Sequence, residues 1–157
     1  MTAPVKPKKP FTMVLRSLWQ SERFTGLPND QARYLFLYFL TCKHQTASGC
    51  FQLPDAYALS DLEMAGSCWT KEEYGHSRDA LVQSGLIHFD RQTSEILING
   101  WYRANPPTNA AWITGARRQC AAIESETLRQ LALKALSECS DEIEAGHGRF
   151  PRSVPQR

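Results

Sequence analysis

The 157-residue sequence has no apolar run approaching the ~20 residues that a membrane-crossing helix requires. Its first ten residues carry three lysines and three prolines, with no apolar segment behind them of the kind that directs secretion. Export is therefore not expected, and the chain reads as cytoplasmic. No C-x-x-C pair occurs. The five cysteines (Cys42, Cys50, Cys68, Cys120 and Cys139) are odd in number and widely spaced, which removes the basis for a zinc ribbon or a thioredoxin-like centre. Cys42, His44 and Cys50 are close enough in sequence to raise a metal site, but Cys68 would have to come from another element to complete it. Small buried thiols in a reducing cytosol are the simpler reading. A phosphate-cradling glycine loop is also missing from the sequence. His76 and His88 have no sequence neighbours that would complete a nucleophile–base–orienter set. The expectation is a protein without enzymatic activity, metal or cofactor.

Strong net charge is lacking too. The total is +2, and its distribution carries more information than its size. Residues 1–10 contribute +3, residues 11–100 hold seven bases against ten acids, residues 101–144 five against six, and residues 145–157 another +3. Basic ends thus flank a mildly acidic body, an awkward balance for a DNA-binding core that must neutralise phosphates. What the chain does have is a hydrophobic fraction of 42% and an aromatic fraction of 10%, enough to build one domain around a real core.

Met13 to Phe24 reads as a short strand or turn followed by one helical turn, anchored by Trp19 and Phe24. Pro28-Asn29-Asp30 opens a first long helix, in which Ala32, Leu35, Phe36, Phe39 and Leu40 recur at helical spacing. Tyr34, Leu37 and Tyr38 widen its apolar face until it nearly encircles the helix, so the helix must be central or lie at a subunit interface. Cys50 to Leu53 is a short strand. Pro54 opens a second helix to Ala65, with Tyr57, Leu59 and Leu62 as core contributors. Thr70-Lys71-Glu72-Glu73 is a capping box that starts a third helix, running to Ser84 and stopped by Gly85. Residues 86–89 and 95–99, joined by a polar turn, form a hairpin. After Asn105-Pro106-Pro107, residues 109–143 are helix-rich, with Leu128, Leu131, Ala132, Ala135, Leu136, Cys139 and Ile143 at three- and four-residue steps. Residues 110–123 are either an earlier helix or its first half.

Helix, short strand, helix, turn, helix and hairpin make up the winged-helix arrangement. The predicted fold class is mainly α with a small β-hairpin: a winged helix-turn-helix plus a C-terminal helix. The predicted organisation is a basic flexible arm (1–10), a winged-helix domain (11–108), a helical extension (109–143) and a basic flexible tail (144–157). Five pieces carry a resemblance: Ser17 to Phe24, Asp30 to Tyr38, Gly49 to Pro54, the Leu81–Ile87 junction, and Trp101 to Pro107. Over residues 13–110 the chain resembles the winged-helix domains of phage and prophage replication initiators, or replisome organisers, related to the N-terminal domain of the DnaD-type primosome protein. The resemblance implies DNA-related work in phage replication or its regulation, in the host bacterial cytosol, with self-association through the N-terminal segment. Such proteins usually carry a second, C-terminal domain, whereas here a helical extension is predicted after residue 108.

A winged helix places its third helix in the major groove, so Lys71, His76, Arg78 and Gln83 are the candidate DNA contacts on that helix. Arg91 at the hairpin tip reaches for the adjacent backbone, and Arg117 and Arg118 add basic surface. Lys6, Lys8 and Lys9 can serve as a mobile arm on DNA or simply as a solubilising tail. Plainer readings stand beside each of these. Glu72, Glu73 and Asp79 share the third helix and repel phosphate, Arg91 is equally an exposed turn residue, and Arg118 can pair along a helix surface. Trp19 and Trp101 are expected in the core, while Trp69 and Trp112 stay open between packing and base stacking. Two functions compete on this basis. One is a double-stranded-DNA-binding protein of replication initiation or transcriptional control. The other is a protein-interaction module on a winged-helix scaffold that binds a host replication or defence protein. Either is expected to be a homodimer, because the over-apolar first helix and the Leu128–Ile143 stripe both call for cover.

Overall fold

Asn29 sets the first long helix in motion: its side chain accepts the amide of Ala32 at 2.9 Å and satisfies one of the donors a helix start leaves unpaired. The computed structural model describes residues 10–144. The expected arm, apart from Pro10, and the expected tail, apart from Glu144, lie outside the described residues. A 3-10 turn at Arg16–Gln20 and the one-turn helix α1 (Glu22–Thr25) precede α2 (Asp30–Thr41). Then come β1 (Cys50–Gln52), α3 (Asp55–Met64), α4 (Lys71–Gln83), β2 (Ile87–Asp90), β3 (Glu95–Ile98), α5 (Trp101–Ala104), α6 (Ala110–Ala121) and α7 (Glu126–Glu144).

The expected capping box is present: Thr70 Oγ1 accepts the Glu73 amide at 3.1 Å, and Glu73 accepts the Thr70 amide at 2.8 Å. Gly85 ends α4 at φ +74°, a left-handed conformation that costs a residue with a Cβ free energy. That reversal sends Leu86 straight into β2, and Asn99 holds the junction by donating its side-chain amide to Gly85 O at 2.9 Å. The three strands are antiparallel in the order β1-β3-β2, with Phe51, Ile96 and Phe89 side by side on one face. The opposite face carries Cys50, Leu97 and His88 in the same register.

Both faces of β3 are buried, and this decides the architecture. On the Ile96 side lie α2 and α4, where Leu35, Phe39, Tyr74 and Leu81 are fully buried and Phe39 meets Phe51 and Tyr74 edge-on. Each such side chain contributes about 1.5–3 kcal/mol of burial. On the Leu97 side lie α6 and α7, with Cys120, Leu128, Ala132 and Leu136 turned inward. The mainly helical winged fold with a small antiparallel sheet is thus a helix–sheet–helix sandwich. Residues 109–143 form two helices, and α7 closes the outer face of the hairpin.

Two expectations need correction. Trp19 is 64% exposed and touches the core only through an edge contact with Phe24, 5.2 Å between ring centroids. Tyr57 is 62% exposed, and Ala58 takes the inward position on α3 instead. Most of the apolar surplus of α2 and of the α7 stripe packs within the chain, with Tyr34 and Leu131 left 42% and 37% exposed. Trp69 and Trp112 are half-buried; Trp69 meets Tyr34 at a tilt and Trp112 meets Tyr102 edge-on.

Candidate interaction surface

In a winged helix the outward face of the third helix is the first place to look for a ligand. On α4 the inward positions are Tyr74, Ser77, Arg78 and Leu81. At 3.6 residues per turn, Glu72, His76, Asp79 and Gln83 then share the outward side, and all four are exposed. This stripe carries two carboxylates and no permanently charged base. Lys71 is exposed at the first turn, off to one shoulder of the stripe.

Arg78 belongs to the interior, contrary to its expected place in a groove. It is 3% exposed, its Nη1 donates to Asp55 Oδ1 at 2.6 Å, and its guanidinium lies 4.0 Å from the centre of the Phe89 ring. Asp79 Oδ1 sits 3.9 Å from Nε of the same guanidinium, so two carboxylates share one cation and the local charge is negative. The reason is energetic. Breaking a buried ion pair costs about 3–5 kcal/mol, and the stacked ring adds to that. One surface phosphate contact returns at most about 1 kcal/mol, and even a good base contact only about 1–3. Arg78 therefore stays inside and ties α4 to α3 and β2.

The remaining candidates do not converge. Arg91 is exposed in the turn between β2 and β3, but strands of four residues, covered outside by α7, hold that turn close to the body. Arg117 and Arg118 are exposed on α6, in the helical layer across the sheet from α4. Lys71, His76 and Gln83 thus share α4 with acids, while Arg91, Arg117 and Arg118 lie elsewhere. Lys6, Lys8 and Lys9 are outside the described residues.

The metal-site alternative finds no geometry. Among the described residues no group of three His, Cys, Asp or Glu side chains is disposed to hold an ion. Cys42 and Cys50 are buried and Cys68 is exposed. Burial pushes the Cys50 thiol up to about 12 and raises those of Cys42 and Cys120, leaving them poor nucleophiles. His44 instead meets Asp61 at 3.0 Å, and Lys43 and the Tyr38 hydroxyl also donate to that carboxylate, at 2.7 and 2.9 Å. Lys43 above all, then Tyr38 and His44, hold the Asp61 carboxyl below its ordinary range. The cluster pins the end of α2 to α3.

Two features escaped the sequence reading. Glu95, 6% exposed, accepts the amides of Glu124 and Ser125 at 2.9 and 2.7 Å, and so places a carboxylate at the start of α7. Asp90 accepts the Ser125 hydroxyl at 2.6 Å, and that bond, with the Gln92 amide, lowers its carboxyl. The hairpin itself caps α7. The second feature is a cavity of about 530 Å³ between the segment Met13–Leu18, α1, α2 and α5. Asn105 braces that segment, accepting the Met13 amide at 2.9 Å and donating to Met13 O at 3.2 Å. A mostly apolar stretch with one clustered run of bases was the signal available for it. Comparison with protein families, with curated proteins and with solved structures found no match for this chain.

Proposed function

We propose that the chain is a protein-interaction module built on a winged-helix scaffold, with the groove-reading chemistry of that scaffold dismantled. The observation that carries this reading is the inversion on α4: the arginine faces the core, and Glu72 and Asp79 face outward. A helix presenting that stripe to a duplex would set carboxylates against phosphates, a like-charge juxtaposition that suppresses binding. Covering of the hairpin by α7 supports the same reading, since the wing retains a short exposed turn in place of a reaching ribbon. No described helix is long and apolar enough to cross a membrane, and the proposed setting is the bacterial cytosol. The partner we propose, taken from the sequence resemblance to phage replisome organisers, is a host replication or defence protein.

Fluorescence anisotropy with a mixed-sequence duplex tests this. At about 50 mM salt and up to about 10 µM protein, no saturable binding is expected. Sub-micromolar binding that weakens steeply with salt, and that is lost on neutralising Lys71 and Arg91, would return the chain to the DNA-binding class.

A further inference from the structure

The first 21 residues contain four bases, Lys6, Lys8, Lys9 and Arg16, and no acid. Where this stretch enters the described structure it is apolar and poorly covered. Phe11 is 80% exposed, and Met13, Val14, Leu15 and Trp19 are all substantially open to solvent. Contiguous exposed apolar surface of this kind is a mark of a binding site in a folded domain. Beneath the segment lies the cavity of about 530 Å³, within the range of sites that take a ligand or an anchoring side chain. Its walls are aliphatic and aromatic, formed by Met13, Leu15, Leu18, Leu40, Leu86 and Trp101.

The rim is charged, and with one sign in excess: Arg23 and Arg103 line it against Glu22. Arg103 has no ion-pair partner among the described residues, and Arg23 makes one long contact, 3.5 Å, to Gly85 O. Elsewhere in the described structure Arg33, Arg78 and Arg129 each hold a carboxylate, while Arg16, Arg91, Arg117 and Arg118 hold none but line no comparable apolar hollow. Two unpaired guanidiniums beside an apolar hollow, continued by an acid-free stretch, define the chemistry of the missing occupant.

We infer that this cavity is the docking site for an acidic peptide segment of a partner protein, which inserts one bulky apolar side chain and sets flanking carboxylates against Arg23 and Arg103. This inference rests on the interaction-module reading and gives that module its surface. Walls that are mostly aliphatic, with Phe36 and Trp101 only 4% and 7% exposed, favour a peptide side chain over a stacked base, and a carboxylate matches the guanidinium fork in a bidentate pair. No residue of α4 lines the site, so the acidic stripe is not part of it.

Selection of a random library of peptides about 16 residues long against the full chain tests it. The expected consensus is a Leu, Phe or Trp flanked by Asp and Glu. Synthetic peptides of that consensus should weaken at least about tenfold on Arg23→Glu/Arg103→Glu and on Leu15→Asp, and hardly at all on Glu72→Lys/Asp79→Lys. All of these positions are exposed or at the cavity mouth, and circular dichroism checks that each variant folds. Four kinds of outcome would overturn the inference. One is no enrichment, and another is a basic consensus. A third is peptides insensitive to the cavity variants but sensitive to the α4 pair, which would leave the interaction reading standing with a different surface. The fourth is displacement of the peptide by single-stranded oligothymidine, or a mass doubling in light scattering abolished by Leu15→Asp, which would assign the hollow to nucleic acid or to a second copy. Failure of the interaction reading itself is read separately, in the duplex anisotropy.

Discussion

Replacing Glu95 by alanine should loosen the C-terminal helix and cost the fold a large share of its stability. The carboxylate accepts two backbone amides, from Glu124 and Ser125, at 2.9 and 2.7 Å, and is itself 6% exposed. Hydrogen bonds to charged groups are worth about 1.5–3 kcal/mol each, and a carboxylate at a helix start adds about 0.3–1 kcal/mol from the helix dipole. Against this stands the desolvation of the carboxylate, regained in part when it is removed, and the exposure of Glu124, which lets water reach one amide. About 2–4 kcal/mol should be lost on Glu95→Ala, against a total of about 5–15 kcal/mol for a domain. Glu95→Gln, which keeps one acceptor and loses the charge, should cost about half as much. Urea denaturation followed by circular dichroism measures both, and hydrogen exchange locates the effect at the amides of Ser125 and Leu128. A loss below about 0.5 kcal/mol for Glu95→Ala, or unchanged exchange at those amides, would refute the reasoning.

Arg78→Ala leaves Asp55 without its 2.6 Å partner and Phe89 without its stacked cation, and should cost about 2–4 kcal/mol in the same denaturation assay. Gly49→Ala would place a Cβ 2.4 Å from Trp101 Cγ at φ +74°; overpacking together with left-handed strain should cost about 2–5 kcal/mol by thermal melting. Asp61 has a folded pKa below its ordinary 3.8, so its contribution is present above that value and is lost as pH falls through the lowered one. Asp61→Asn should therefore destabilise at neutral pH and flatten the stability curve in acid below about pH 4, as read by urea midpoints across pH. Trp19→Ala should cost less than about 1 kcal/mol where Trp101→Ala costs about 3–5, a contrast set by 64% against 7% exposure.

Features written in short-range code were legible in the sequence. The Thr70–Glu73 capping box, a cap at Asn29 or Asp30, the stop at Gly85 and the hairpin after it each depend on residues within a few positions of one another. Together they specify the helix-turn-helix and its short wing. Facing was harder wherever the partner came from far along the chain. Arg78 looked like a surface base because its counter-charge, Asp55, lies 23 residues earlier and its stacking ring, Phe89, belongs to the next element. Glu95 looked like an ordinary strand residue because the amides it caps are some 30 positions ahead. Trp19 has the composition of a core anchor, yet the 3-10 turn that carries it buries none of its residues and Trp19 meets Phe24 only by one edge. The acid-free start of the chain was readable from composition. The hollow beneath it was not, because its walls come from five separate stretches of sequence.

Titration of the isotope-labelled protein with duplex DNA, followed by amide chemical shifts along α4, addresses the central claim most directly. The amides of Lys71, Gly75, His76 and Gln83 should stay unmoved in the natural sequence and shift once Glu72 and Asp79 are both replaced by lysine, since only then does the outward stripe carry the sign a groove accepts. Saturating shifts along that helix in the unaltered protein would contradict the account.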